Sequence, residues 1–488
     1  MPKLSRRQFI ETSAAAAVAT ALPAVLHAAA PTKPRNVVFI SVDDLNTSIG
    51  CYGNTEVHTP NIDRLAARGV RFARTYCQYA WCSPSRTSLL TGYAPDTTGV
   101  YDLNTHFRKT IPNVTTLPQL FRKNGYYVAR VGKIYHQSNP EGIGEAGRMD
   151  DPASWDYVYD PAGADHTKEE SELTIFGPRH NLGSTIAYHE SEAADDQITD
   201  HIGADHFIDL LKAKKDKPFF LAFGMYRPHV PWVVPKAYFD MYPVEKIKAR
   251  TYAPAELTQA PAVAYATRPV NGGMDEMQSR MAIRAYYAAA SFMDAQVGRV
   301  LDAIKELGLQ DNTTVVFWAD HGWALGEHGQ WQKEALWDTV GHVPTIMAGA
   351  GVTAHGKSCM RTTEHLDMYP TLAEMFQLKG VPADLHGRSL LPLLGNPDAQ
   401  RDKPAVSQLL RTKEKNGAVA GYSIRNERYR YTSWGDGTIG EELYDYESDP
   451  HEVKNLAADP ASAKLKADLK AQLAAITASR KPGGKQKA

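Results

Sequence analysis

Five stretches of this chain carry near-continuous runs of β-branched, aromatic or aliphatic residues, the pattern of strands buried on both faces of a parallel sheet. They run from Asn36 to Val42, Tyr126 to Val131, Lys217 to Met225, Thr313 to Ala319 and His342 to Met347. Between them apolar residues recur at helical spacing, from about Pro60, from Thr116 to Asn124 before Gly125, from Asp200 to Lys212, and from Met281 to Leu307 before Gly308. Strands alternating with helices predict an α/β fold with a mostly parallel sheet. Residues from Gln137 to Ser191, and from Pro243 to Met274, show no sustained period and read as excursions. Past Pro370, turns rich in Pro and Gly extend through Asp402 and mark a boundary. Beyond it, Tyr422 to Tyr431 alternates as an antiparallel strand, Glu442 to Tyr446 reads as another, and a helix follows from Ala461 to Ser479.

Polar residues gather where the buried runs stop. Asp43 and Asp44 follow the first, Lys133 and His136 the second, His229 the third, and Asp320 and His321 the fourth. In a parallel sheet those ends share one edge, where open α/β sheets bind their ligands. Adjacent carboxylates repel unless a cation lies between them, and oxygen donors suit calcium or magnesium. His229, between Pro228 and Pro231, is placed for proton transfer. In Cys82-Ser83-Pro84-Ser85-Arg86 a thiol stands at a helix start, which favours negative charge, and Arg86 adds a fixed positive charge one turn on.

That segment, continuing through Ser88-Leu89-Leu90-Thr91-Gly92, resembles the signature of type I sulfatases. Arg227-Pro228-His229-Val230-Pro231, the run from Asp320 to Gly329, and Tyr422 to Arg425 resemble the iduronate-2-sulfatase branch. The resemblance runs from about Asn36 to Leu456. It implies an alkaline phosphatase-like sandwich, a large mixed, mostly parallel sheet between helices, with a small C-terminal antiparallel sheet and helix. It implies conversion of Cys82 to formylglycine, whose hydrate attacks the sulfate ester, and hence a formylglycine-generating enzyme as partner. Asp43, Asp44, Cys82, Asp320 and His321 would form the metal site, with Ca²⁺ expected and Mg²⁺ the alternative. Many members carry Asn where His321 stands, which leaves the metal's identity open. Arg86, Lys133 and Lys333 would hold sulfate, His136 would bond the formylglycine hydroxyl, and His229 would protonate the leaving oxygen. Trp323, with Trp232, could form a sugar-facing wall. The implied activity is hydrolysis of a sulfated oligosaccharide or polysaccharide, exo-acting on 2-O-sulfated hexuronate. The alternatives are another sulfate position on an algal or host polysaccharide, a phosphoester or phosphonate substrate, and a non-catalytic binder of sulfated glycans. The complete cysteine motif disfavours the phosphoester reading, and retention of every candidate catalytic residue disfavours the binder.

Bulk properties narrow this little. The 488 residues are 43% hydrophobic with net charge −1, and no basic excess points to nucleic acid. Four cysteines, Cys51, Cys77, Cys82 and Cys359, leave room for at most one disulfide if Cys82 is modified. Arg6, Arg7 and Phe9 precede an Ala-rich apolar run that ends in Ala28, Ala29 and Ala30. This is a secretory pattern resembling a twin-arginine signal. It is too short for a good membrane span, so periplasmic or secreted localisation through the twin-arginine machinery is expected, with no membrane anchor. The expected organisation is a signal at 1–30, a catalytic domain at 31–380, a small C-terminal subdomain at 381–480 and a disordered tail at 481–488.

Overall fold

A computed structural model describes residues 35–145, 147–166, 170–178, 180–412 and 417–480. The expected signal and tail lie outside these residues. The strands, in chain order, are β1 (Asn36–Val42), β2 (Gly69–Tyr76), β3 (Tyr127–Gly132), β4 (Tyr157–Tyr159), β5 (Thr174–Phe176), β6 (Ile186–Ser191), β7 (Phe219–Met225), β8 (Trp232–Pro235), β9 (Thr313–Ala319), β10 (Ala324–Leu325), β11 (Trp331–Gln332), β12 (Thr345–Gly349), β13 (Lys357–Glu364), β14 (Ala405–Arg411), β15 (Val419–Arg425), β16 (Tyr429–Trp434) and β17 (Gly440–Asp445). The main helices are α1 (Pro60–Ala67), α2 (Cys82–Thr91), α3 (Leu117–Lys123), α4 (Thr199–Lys214), α5 (Glu276–Glu306), α6 (Met368–Met375) and α7 (Ala463–Arg480).

Eight strands form the central sheet in the order β13-β2-β12-β9-β1-β7-β3-β4. Only β12 runs against the rest, pairing antiparallel with β9 and β2. Successive side chains leave opposite faces of a strand, and both faces of this sheet are covered. On β1, Val38, Ile40 and Val42 enter the core beneath α1, α4 and α5, whereas Val37 and Phe39 enter the core beneath α2, α3 and α6. β7 divides the same way, with Leu221 and Phe223 on the first face and Phe220 and Ala222 on the second. This two-sided burial is why the runs read as continuous rather than alternating. The C-terminal sheet, β14-β15-β16-β17, is antiparallel. It packs Val406, Ile424, Tyr431 and Leu443 against Leu469 and Leu473 of α7.

The structure revises several expectations. The segment from Tyr422 to Tyr431 is not one strand: it turns at Asn426–Arg428, where the Asn426 side chain accepts the N–H groups of Arg428 and Tyr429, and divides between β15 and β16. The excursion after Gln137 supplies β4, which extends the central sheet beside β3, and β5 and β6, which form a small sheet with β8. β2, β13 and β14 carry too many polar residues to stand out as buried runs. All four cysteines are free, and only Cys51 is partly exposed.

Candidate active site

β1, β3, β7 and β9 are neighbours and parallel, so their C-terminal ends bring Asp43, Asp44, Lys133, His229, Asp320 and His321 to one edge. β2 ends on the same edge, and the chain then passes through residues 77–81 into α2, whose first residue is Cys82. Cys82 is 1% exposed. Its Sγ lies 3.3 Å from both His321 Nε2 and Lys333 Nζ, and His136 beside it helps to lower the thiol. Burial pushes this thiol up, but Lys333, Lys133 and His321 outweigh it and hold the thiol well below its usual range.

The carboxylates around it are wholly buried. Asp43 accepts Lys133 Nζ at 2.5 Å and Arg86 Nη2 at 3.2 Å. Burial and the Cys82 charge raise its carboxyl, yet Lys133, His229 and Arg86 bring it well below the ordinary range. Asp44, in the left-handed region at φ 61°, accepts Lys333 Nζ at 2.7 Å. Asp320 accepts Arg86 Nε at 2.8 Å and the N–H groups of Asp44 and His321 at 3.1 and 2.9 Å. Burial still pushes Asp320 up to about 7 against the pull of Arg86.

These residues fit a metal. The ligand atoms of Asp43, Cys82, Asp320 and His321 lie within 4.8 Å of one another, as do those of Asp44, Cys82 and His229. Asp44 Oδ2 is buried without a hydrogen-bond partner, a costly arrangement unless a cation answers it. His321 Nδ1 faces the Gly322 carbonyl at 3.1 Å. A proton held there leaves the Nε2 lone pair toward Asp44 and Asp320, at 3.4 and 3.5 Å.

Arg86 stands differently from its expected role. It is wholly buried and its guanidinium is taken up by Asp43, Asp320, Ser41 Oγ and the carbonyls of Lys133 and Ile134. It braces the carboxylates from below. Trp323 is 1% exposed and meets the buried Trp232 edge-on at 6.1 Å, so neither forms a solvent-facing wall. Trp323 instead supports Lys333, whose Nζ lies 5.6 Å from its ring centroid.

His229 is 4% exposed. Its Nδ1 faces the Val230 carbonyl at 2.5 Å and Asn139 Nδ2 at 3.3 Å, and its Nε2 lies 3.7 Å from Asp44 Oδ2. The loop carrying it is fixed by Asp200, which accepts the N–H groups of Tyr226 and Arg227, and by the buried Arg227–Asp165 pair at 2.6 Å. Asn139, Asp165 and Asp200 escaped sequence reasoning. The first two lie in the aperiodic excursion, and Asp200 opens α4, so no strand end marked any of them. His365 was also missed; it follows β13 and approaches Ser85 Oγ at 3.5 Å. Beside His136 opens a cavity of about 700 Å³, with Lys109, Glu141, Glu145 and Arg148 among its walls.

Residues 35–378 match the sulfatase family, 326–479 the family described as N-sulphoglucosamine sulphohydrolase, C-terminal, and 3–23 the TAT (twin-arginine translocation) pathway signal sequence. Iduronate 2-sulfatase of Homo sapiens is 33% identical over 537 residues, covering 91% of this chain and 94% of that protein. Phosphonate monoester hydrolase of Agrobacterium radiobacter has a similar fold, with a TM-score of 0.75 and 24% identity, covering 92% of this chain and 96% of the other. A structure described as a 2-O GAG sulfatase gives 0.69 and 25% identity, covering 92% and 93%. The matched signal directs the chain to export, into the periplasm or beyond. Among the described residues no helix is long and apolar enough to cross a membrane.

Proposed function

This chain belongs to the type I sulfatase family, in its iduronate 2-sulfatase-like branch, and on that premise we propose that it removes the 2-O-sulfate from a terminal hexuronate of a sulfated glycan. That it is a sulfuric ester hydrolase follows from the family; the position of the sulfate, the exo action and the residue roles are our reading. The observation that carries the chemistry is Cys82 Sγ at 3.3 Å from both Lys333 Nζ and His321 Nε2, among buried carboxylates.

The family implies a formylglycine at position 82, which supplies an aldehyde hydrate as nucleophile, and a divalent metal. Asp43, Asp44, Asp320 and His321 Nε2 would hold the metal. We assign calcium, because oxygen donors predominate; when bound it would polarise the nucleophile and the sulfate oxygens. Lys133 and Lys333 would neutralise charge on the sulfate, a matter of positioning and electrostatics. His136 would hold the proton of the residue-82 hydroxyl, and His229 Nε2 would give a proton to the departing sugar oxygen. Arg86 acts beneath them by fixing Asp43 and Asp320 in place.

Two relatives support the substrate, one named for iduronate 2-sulfate and one for 2-O action on a GAG. The cavity beside His136 has the volume for a saccharide, and the exposed Lys109 and Arg148 offer cations to a uronate carboxylate. The test is co-expression with a formylglycine-generating enzyme, confirmation of the aldehyde at position 82 by peptide mass, and sulfate release from disaccharides sulfated at uronate O2, hexosamine O6 or hexosamine N. Release confined to the O2 substrates is expected. Release from the other positions alone would refute the substrate and leave the sulfatase.

A further inference from the structure

Lys333 sits in a stretch whose backbone is held against its own preference. Gln332 and Glu334, on either side, both take positive φ, 71° and 62°, a region that residues with side chains rarely occupy. Such a turn persists only where its surroundings impose it. Two anchors come from the sulfatase core. Gln332 Nε2 donates to the Ser184 carbonyl at 2.9 Å, and the Glu334 N–H donates to the carbonyl of Ala80 at 3.0 Å, two residues before Cys82.

The remaining anchors come from the C-terminal sheet and the loop that follows β17. Arg430, on β16, donates through Nη1 to the Leu336 carbonyl at 2.5 Å and through Nε to Glu452 Oε1. The other oxygen of Glu452 accepts the Asp338 N–H at 3.0 Å. Asp338 Oδ1 in turn accepts Tyr76 at the end of β2, at 3.0 Å, and Tyr446, at 3.2 Å. The Arg430 guanidinium also lies 5.5 Å from the ring of Trp337, which stacks on His328 at 4.2 Å. Arg430 and Glu452 are buried, at 2% and 3% exposure. An ion pair so deep returns little net stability over apolar packing. What it does here, and apolar side chains could not, is bind two main-chain groups of the Lys333 segment at once.

We propose that the Arg430–Glu452 pair is a positioning device for the reaction. It grips residues 336–338 from β16 and the loop after β17 and so sets the Lys333 ammonium against Asp44 and Cys82. Neither residue touches the reacting atoms. On this reading, which rests on the role given above to Lys333, the active site is completed from the C-terminal region that carries β16 and the loop after β17.

The test is a double-mutant cycle on the full, aldehyde-bearing chain with an aryl sulfate as substrate. Arg430→Lys keeps the charge opposite Glu452, but a single ammonium cannot span both Glu452 and the Leu336 carbonyl. Glu452→Gln keeps an acceptor for Asp338 and removes the charge, and carries the same cycle if the first variant does not fold. Each is expected to lower kcat/KM by about tenfold or more, and by less than about twofold when Lys333→Ala is already present. Amide exchange in residues 332–338 is expected to quicken while that of β7 and β9 stays unchanged, a readout that holds if Lys333→Ala activity is too low to measure. Equal losses in both backgrounds, full activity of either single variant, or exchange quickened throughout the central sheet would overturn the proposal. Full activity of Lys333→Ala would instead remove Lys333 from the mechanism.

Discussion

Replacing His229 by alanine tests the acid role proposed for it, because only a leaving group that needs a proton should feel the loss. The ring is nearly buried and held at Nδ1 by the Val230 carbonyl at 2.5 Å, which also accepts the Asn139 amide at 3.0 Å, with Nε2 3.7 Å from Asp44 Oδ2. A donor fixed in one orientation should deliver a middling share of the roughly 10²–10⁴-fold that general acid catalysis contributes. We therefore expect about a 10³-fold loss of kcat/KM on a sugar sulfate, about 4 kcal/mol of transition-state stabilisation. An activated aryl oxide departs without needing a proton, so the same variant should lose less than about tenfold on an aryl sulfate. The assay is sulfate release from both substrates with matched aldehyde content at position 82. Losses equal within error on the two would refute the acid assignment and leave His229 as a ring that merely shapes the cleft.

At the β3–β7 crossing, Gly224 pairs with Gly132, and a Cβ on Gly224 would stand 1.9 Å from the Lys133 carbonyl oxygen. Gly224→Ala should therefore cost at least about 1–3 kcal/mol of stability and displace Lys133, lowering both the thermal midpoint and kcat/KM; an unchanged kcat/KM would contradict it. Asp294 of α5 accepts the N–H groups of Asn61 and Ile62 at the start of α1, and burial raises its carboxyl to about 6. The folded state thus holds this proton more tightly than the unfolded chain, so its contribution falls as pH rises from about 4 to about 6, by at most about 3 kcal/mol. Asp294→Asn should flatten that part of the profile of thermal midpoint against pH, and an identical slope in both proteins would count against it. Chelation should abolish turnover and lower the midpoint, with calcium restoring both better than magnesium; full activity after exhaustive chelation would remove the metal from the reading.

The parallel strands were legible because burial on both faces leaves no charged residue in β1, β7 or β9, and the first charged residue after each marks its end. Asp43, Asp44, Asp320 and His321 could be assembled from that rule alone. β13 obeys the same topology but lies at the sheet's edge, where Lys357, Ser358 and Met360 face outward. Its end residue His365 went unmarked for that reason. Tyr422 to Tyr431 misled because alternation persists through the Asn426 turn. That Trp323 is buried against Trp232, and that Asp43 and Asp320 take up Arg86, could not be read locally, since nothing in the sequence says whether a side chain near a cleft points into it or beneath it.

Sequence alone determined the kind of reaction through the resemblance of the Cys82 motif and the strand-end segments to type I sulfatases, the family that the chain matches. It also determined the layered α/β scheme, because burial on both faces of a sheet imprints directly on hydrophobic patterning. Only the tertiary structure decided that Arg86 is taken up by Asp43 and Asp320, whereas Lys333 reaches Asp44 and Cys82. It alone tied the His229 loop to Asn139, Asp165 and Asp200, and the Lys333 segment to Arg430 and Glu452. Many of those contacts join residues up to 114 positions apart through main-chain carbonyls and N–H groups. Every residue carries the same backbone groups, so their pairing leaves no mark on the order of side chains.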